Sequence, residues 1–373
     1  MGKKKNKKNM RLLFYIQNMS GGGAQRVMAN LLNELAHKKY SVFLAYDTQA
    51  ECAFDLTPEI TVFNMREGCS PNVFWKKTHI YRKTRTLYNI RKIAKRVQPN
   101  IAISFMTPTN CDVILSLLGT KIPVVVSEHI TLTLRRGVFT NFIIKCIYPF
   151  ASAVTLLTRY DYRLFKNKIK NGVYLPNPCD PLYESKNYER ENVVLAAGSL
   201  DRWYHKGFDS LIRIWSKLQE EFPEWELHIA GNGSQDSIAY LNSVIQDNNC
   251  NSCKLLGFRK DVNELMHKAK VYCMTSRYEG LPMVLIEAMN AGCCCISYDC
   301  KTGPSEIIRN EFSGLLIPDQ NEMEFTEKLR QILNNDNYRK EIASNSYKTV
   351  IRYRSDEVIK RWGILFDKLN KHS

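Results

Sequence analysis

The stretch TSRYEGLPMVLIEAMNAGCCC (residues 275–295) holds the turn, helix and strand start of one β-α-β unit. The apolar run VYCMT (271–275) leads into it as a strand. Turn-forming residues follow as far as Pro282. A helix is then expected over 283–291, closed by Gly292, with CCCISY (293–298) as the next strand. Parallel strands joined in this way lie with both faces covered, which is why these runs are apolar throughout rather than alternating. Pro282 suits a first helical turn. The N–H groups of Met283, Val284 and Leu285 are then expected to lack intrahelical partners and to be available to an anion. Glu279 stands before the helix and Glu287 about one turn inside it. As packing features, Glu279 is a first-turn charge favouring the dipole and Glu287 an exposed helix charge. The helix is apolar almost all round, so a solvated face explains Glu287 poorly.

The same alternation runs through the 373 residues, long enough for two domains. In the first half, strands are expected at 11–17, 41–46, 101–105, 122–128, 152–157 and 172–176, with helices at 24–37 and 75–97 among others. PNPCDPLYESKNYEREN (176–192) breaks the pattern and reads as a linker. Strands then resume at 193–198, 226–231, 253–257, 271–275, 293–298 and 313–318. Helices are expected at 206–221, 235–247, 261–268, 283–291 and near 304–309, and three more finish the chain (321–334, 337–350, 355–371). The reading is α/β: two facing, doubly wound, Rossmann-like domains with a ligand cleft between them. The expected divisions are a basic tail (1–10), an N-terminal domain (11–178), a linker (179–192), a C-terminal domain (193–350) and a C-terminal helical segment (351–373) that could cross back to the first domain.

Net charge is +16, and all of the excess lies in one half. Residues 1–178 carry 28 Lys and Arg against 9 Asp and Glu, while residues 179–373 carry 25 against 28. Such asymmetry points to an anionic partner, nucleic acid or the anionic face of a membrane, with plain solubilising charge as the alternative. Nothing suggests a secretory signal, so the 12 cysteines are read as reduced. Cys250 and Cys253 have no second pair at zinc spacing, and no metal site is expected. No run of 18 apolar residues occurs; the nearest, 142–157, is interrupted by Lys145 and Pro149.

Two further loops could carry chemistry. NMSGGGAQRV (18–27) is a glycine-rich strand-to-helix turn that suits phosphate, or simply a turn needing small residues. Its spacing is wrong for a dinucleotide site. AAGSLDRWYHKGFDSLI (196–212) places Arg202 and Lys206 before a helix. Two cations and a helix N-terminus suit a diphosphate; a solvated loop is the plainer reading.

Together these strings resemble glycosyltransferase family 4, the group 1 glycosyltransferases of the GT-B fold. SRYEGLPMVLIEAM is similar to the family's E-x(7)-E motif. KGFDSLI, GGGAQRVMANLLNELAHKKYSV, EHI (128–130) and LPNPCD (175–180) follow the family's order over nearly the whole chain. The resemblance implies retaining transfer of a sugar from a nucleotide-diphosphate donor, with no cofactor and no required metal. It implies that Glu287 holds the ribose hydroxyls and Glu279 contacts the donor sugar. Arg202 and Lys206 would neutralise the departing diphosphate, and Gly280, Leu281, Met283 and Val284 would border it. Gly22 and Gly23 would let the first loop approach phosphate and acceptor, His129 would sit near the reacting hydroxyl, and the backbone at Phe258 and Arg259 would face the base. One departure stands out: the family often has Arg directly after the glycine, where this chain has Ser199, with Arg202 three residues later in a longer loop. A satisfied buried histidine is the alternative for His129.

In the family the N-terminal domain takes the acceptor, which agrees with the charge split. Residues 75–97 carry nine Lys and Arg and no acid, and 134–150 add basic and bulky apolar residues. A lipid-linked glycan acceptor is therefore expected, with the protein cytoplasmic and peripheral on the inner face of the membrane, in capsule, exopolysaccharide or lipopolysaccharide assembly. The competing readings are a sugar-nucleotide epimerase of the same fold, which would leave the basic half without a role, and a nucleic-acid-binding protein, which would leave Glu279, Glu287 and Lys206 unexplained.

Overall fold

The computed structural model describes residues 10–66, 79–129, 131–132, 137–179 and 189–371. The chain divides into two compact units: Met1–Pro178 with Ser355–Ser373, and Cys179–Arg354. The helix expected over 283–291 belongs to the second unit.

The first unit is built on a seven-stranded parallel sheet in the order β3-β2-β1-β4-β5-β6-β7. Its strands are β1 (Arg11–Ile16), β2 (Ser41–Tyr46), β3 (Thr61–Asn64), β4 (Ile101–Phe105), β5 (Val124–Glu128), β6 (Ala153–Leu156) and β7 (Gly172–Tyr174). β4 and β5 are buried at every position, as a strand covered on both faces must be. β3 was not expected from the sequence. It is four residues long with two exposed positions, an edge strand without the apolar run that marks the others.

Helices cover both faces of this sheet. On one face, helices Gly23–His37 and Ser355–Asn370 join β1, β2 and β4 in a core that includes Leu31, Leu35, Val358, Trp362 and Phe366. On the other, helices His79–Val97 and Thr107–Leu117 and the helical run Val138–Phe150 surround a second core with Ile90, Val113, Ile114, Ile143 and Tyr148.

The second unit has a six-stranded parallel sheet in the order β10-β9-β8-β11-β12-β13. Its strands are β8 (Glu191–Ala197), β9 (Glu226–Ala230), β10 (Cys253–Gly257), β11 (Ala269–Met274), β12 (Cys294–Asp299) and β13 (Leu315–Pro318). In both sheets the first strand of the unit has the second on one side and the fourth on the other. That reversal is the topological switch point, outside whose carboxyl ends ligands bind in such folds. The segment ending the second unit is fastened beside its start, where the Cys179 N–H donates to the Tyr353 carbonyl at 2.7 Å.

One expected helix is divided. In place of 206–221, a single turn Trp203–Lys206 ends at Gly207, and a separate helix runs from Phe208 to Ser216. Gly207 is left-handed (φ +67°), and a Cβ there would stand 1.9 Å from the Thr275 carbonyl oxygen. Only glycine can make this turn. No helix among the described residues is long and apolar enough to cross a membrane.

Candidate functional site

The site in the second unit grows from that turn. Thr275, just past β11, donates its hydroxyl to the Gly207 carbonyl at 2.8 Å, tying the β8 loop to the β11 loop. Lys206 then lies with its stem against Gly198, where a Cβ would meet its methylenes at 3.2–3.3 Å. Its Nζ reaches Glu279 Oε1 at 2.7 Å. Glu279 is 9% exposed. Burial alone would raise its carboxyl, but the Lys206 ammonium outweighs this and holds it below the usual carboxylate range.

The loop carrying Glu279 is clamped on three sides. His205 Nε2 donates to the Tyr278 carbonyl at 2.5 Å, and the two rings stack at 4.0 Å and 8°. Arg277 grips Asp209 with two bonds of 2.9 Å and lies over the Tyr204 ring at 4.2 Å. Thr302 donates its hydroxyl to the Glu279 carbonyl. Next to it, Gly303 (φ +99°) comes so close that a Cβ would stand 2.6 Å from the Gly280 carbonyl and from Pro282 Cδ. A carboxylate so held has little freedom to move and is fixed in place in advance of any ligand.

Behind this loop stands the helix Met283–Asn290. Pro282 does not enter its first turn but caps it from an extended conformation (φ −73°, ψ 96°). Its carbonyl accepts the Leu285 N–H at 3.1 Å, which corrects the expectation that this group is free. The first turn tightens there because a cap without a polar side chain leaves the Pro282 carbonyl as the nearest acceptor. The N–H groups of Met283 and Val284 have no partner among the described residues. Glu287 is half-buried one turn further on. The Tyr272 hydroxyl in β11 is pushed well up by burial first, with Glu287 and Glu279 adding to the shift, so both carboxylates face the same strand.

Arg202 ends the short 3-10 turn after Ser199 and is exposed, without an ion pair to any other described residue. Its charge adds to the burial that depresses His205, which places it near the same cluster. Phe258, 67% exposed, follows β10. The Arg259 guanidinium is held by Asp261 at 2.8 and 2.5 Å.

Three of the expected residues lie in the first unit. Gly22 (φ +117°) caps the helix that starts at Gly23, with no side-chain cap, after Gly21 at φ +138°. These angles favour glycine, and the Gln25 side chain folds back over the turn, its Oε1 2.6 Å from where a Cβ on Gly22 would stand. His129 follows β5 and stacks on Phe105 at 4.1 Å. Burial draws its pKa down to about 3, so the ring is neutral, and its enclosed Nε2 has no hydrogen-bond partner among the described residues. The neighbouring Glu128 accepts from Thr107 (2.9 Å), Asn110 (3.0 Å) and Tyr148, which fixes the strand end from which His129 projects.

The structure thus brings together Lys206, Glu279, Gly280, Leu281, Met283, Val284 and Glu287. Sequence reasoning missed the clamp formed by His205, Tyr278, Arg277, Asp209 and Thr302. His205 beside Lys206 was the one local signal; the partners in the clamp lie 23 to 73 residues apart and leave no short-range pattern. Among the described residues, no three His, Cys, Asp or Glu converge as a metal would need, and the 11 described cysteines are free thiols.

Residues 183–349, nearly all of the second unit, match the family described as "Glycosyl transferases group 1". Over 358 residues the chain is 28% identical to the GalNAc-α-(1→4)-GalNAc-α-(1→3)-diNAcBac-PP-undecaprenol α-1,4-N-acetyl-D-galactosaminyltransferase of Campylobacter jejuni, covering 95% of this chain and 97% of that one. It is also 28% identical to the amylovoran biosynthesis glycosyltransferase AmsD of Erwinia amylovora, over 94% of this chain and 98% of that one. Among solved structures it resembles a Staphylococcus aureus TarM variant in complex with fondaparinux, α-GlcNAc-glycerol and UDP. The TM-score is 0.75 at 16% identity, over 96% of this chain and 100% of that one. This likeness shows the fold, two Rossmann-like units of the GT-B type.

Proposed function

We propose that this chain is a retaining glycosyltransferase of family 4. It transfers a sugar from a nucleotide-diphosphate sugar to a glycan or lipid-linked acceptor in cell-surface polysaccharide assembly. The observation that carries this reading is the buried Lys206–Glu279 pair at 2.7 Å, set before a helix whose first two N–H groups have no partner among the described residues. A diphosphate suits that arrangement, with the Met283 and Val284 N–H groups and the helix end on its oxygens. Gly280 and Leu281 bring the chain alongside it. Lys206 and Arg202 stabilise the negative charge that develops as the diphosphate leaves, and no added metal is required for this. Fixed charge aimed at a leaving group is commonly the largest catalytic contribution.

Glu279, pinned by Lys206, accepts hydroxyls of the donor sugar, and Glu287 accepts those of the ribose. The backbone at Phe258 and Arg259 borders the base. In the first unit, Gly22 and Gly23 open a helix end to phosphate or acceptor, and neutral His129 is a hydrogen-bonding partner for the reacting hydroxyl. The acceptor meets the basic unit at the inner face of the cell membrane, where anionic lipid attracts it. The names of the Campylobacter and Erwinia relatives, one acting on an undecaprenol diphosphate glycan and the other in amylovoran biosynthesis, support this setting.

The test is a panel of UDP-, GDP- and ADP-sugars offered with lipid-linked and free acceptors, with and without EDTA. Transfer with retained anomeric configuration, unaffected by EDTA, is expected for one donor. Lys206→Ala and Glu287→Ala should each lower turnover by about 100-fold or more. Full activity in either variant overturns the site assignment. Epimerised donor with no transfer overturns the function.

A further inference from the structure

The helical run Val138–Phe150 is apolar on two sides, and only one of them is packed. Ile143, Ile144 and Tyr148 face inward, in the core with Val113 and Ile114. On the opposite side Val138 is 90% exposed, Phe139 72%, Phe142 52% and Phe150 61%. Val138 and Phe139 stand four and three residues before Phe142 in the α-helical turn Val138–Phe142, as on one helix face, and Phe150 ends the 3-10 turn that follows the π-helical residues Ile143–Ile147. Soluble proteins seldom leave so many large apolar side chains together in water, and such a face marks an interaction site. Lys145 is the only charged residue in the run.

Charge decides what covers it. Helix Thr107–Leu117 packs between this run and helix His79–Val97, on one face of the sheet. Helix His79–Val97 carries seven Lys and Arg and no acid, with Lys92, Lys95 and Arg96 exposed. A second copy of this chain would bring two such acid-free faces together and be repelled. An anionic bilayer offers both complements at once, headgroups for the cations and acyl chains for the aromatic face. Lys145 has a stem long enough to keep its ammonium at headgroup level.

We propose that Val138, Phe139, Phe142 and Phe150 form a membrane-inserting face, seated in the acyl boundary while helix His79–Val97 holds the headgroups. This rests on the reading that the first unit works at a membrane, and it assigns the apolar part of that binding to one element. The run starts nine residues after His129, and its outer face meets the bilayer in which a lipid-linked acceptor is anchored.

The experiment is flotation of the full chain with phosphatidylcholine vesicles and with vesicles containing phosphatidylglycerol, at low and high salt. Wild type should bind the anionic vesicles and keep part of that binding at high salt. Phe139→Ser/Phe142→Ser should weaken binding by about tenfold at both salts. Lys92→Gln/Lys95→Gln should weaken it at low salt only. Because these side chains are exposed, both variants should unfold at the wild-type temperature. A Phe139→Trp variant should gain emission quenched by brominated acyl chains. The proposal is overturned if the Phe pair floats like wild type, or if wild type binds neither vesicle. It is also overturned if sedimentation shows a dimer that the Phe pair dissolves, because the face is then a protein interface. Transfer to a water-soluble acceptor, measured in parallel, reports on the glycosyltransferase reading independently of all these outcomes.

Discussion

Glu279 is a carboxylate shut away from water and kept ionised by one ammonium. Removing that ammonium strands it. Lys206→Met should cost about 3 kcal/mol, the order found when one partner of a buried pair is deleted. Lys206→Met/Glu279→Gln should recover much of this, because no buried charge is left alone; urea unfolding of both variants checks it. The pH dependence follows from the direction of the shift. A carboxyl depressed in the folded state contributes stability that is fully present above its unfolded pKa, about 4.3 for Glu. That contribution is lost as the pH falls through the folded value. Wild type should therefore lose more stability than the double variant on acidification from pH 5 downward. Equal loss would show that Glu279 is not held low. At this scale both glutamates, Lys206 and the glycine loop were legible, because each sits in a short contiguous string. His205 and the Arg277–Asp209 pair were not, since a residue partnered some 70 positions away leaves no mark on the local sequence.

The helix Met283–Asn290 was legible as an element, and so were its flanking strands, because apolar runs of strand length alternate with amphipathic ones. Its first turn was read wrongly in one detail, since the Leu285 N–H is taken by Pro282. That leaves a sharper prediction. Met283→Pro removes one of the two donor groups, at the helix position where proline fits best, and the extended backbone of Pro282 is already what a residue before proline needs. Thermal stability should stay near wild type while the affinity for nucleotide diphosphate falls about tenfold, the weight of one hydrogen bond to a charged group. Calorimetric titration with UDP, or with the donor's own nucleotide, measures it. Unchanged affinity would remove the helix terminus from the site. The break at Gly207 escaped the sequence reading for a related reason. WYHKGFDSLI keeps helical periodicity across the glycine, and the clash that imposes the turn comes from Thr275, just past the end of β11.

For the whole molecule, the even alternation of strands and helices disclosed two parallel α/β units, and the charge split set the first apart from the second as the basic one. Which unit the last helix joins depends on apolar side chains that either sheet could accept. Ser355–Asn370 lies in the first unit, with Val358, Ile359, Trp362, Leu365 and Phe366 in the core beside helix Gly23–His37. Trp362 is 3% exposed and packs on Phe366 at 5.5 Å. Trp362→Ala should therefore cost about 4 kcal/mol through the cavity it leaves. The cost should be local, because no residue of the second unit belongs to that core. Hydrogen exchange is the suitable measurement. Amides of β1 and of helix Gly23–His37 should exchange faster, while those of β8 and β11 keep wild-type protection. Equal loss of protection in both sheets would mean that the two units unfold as one, so that a defect in the core of the first unit also loosens the Lys206–Glu279 pair in the second.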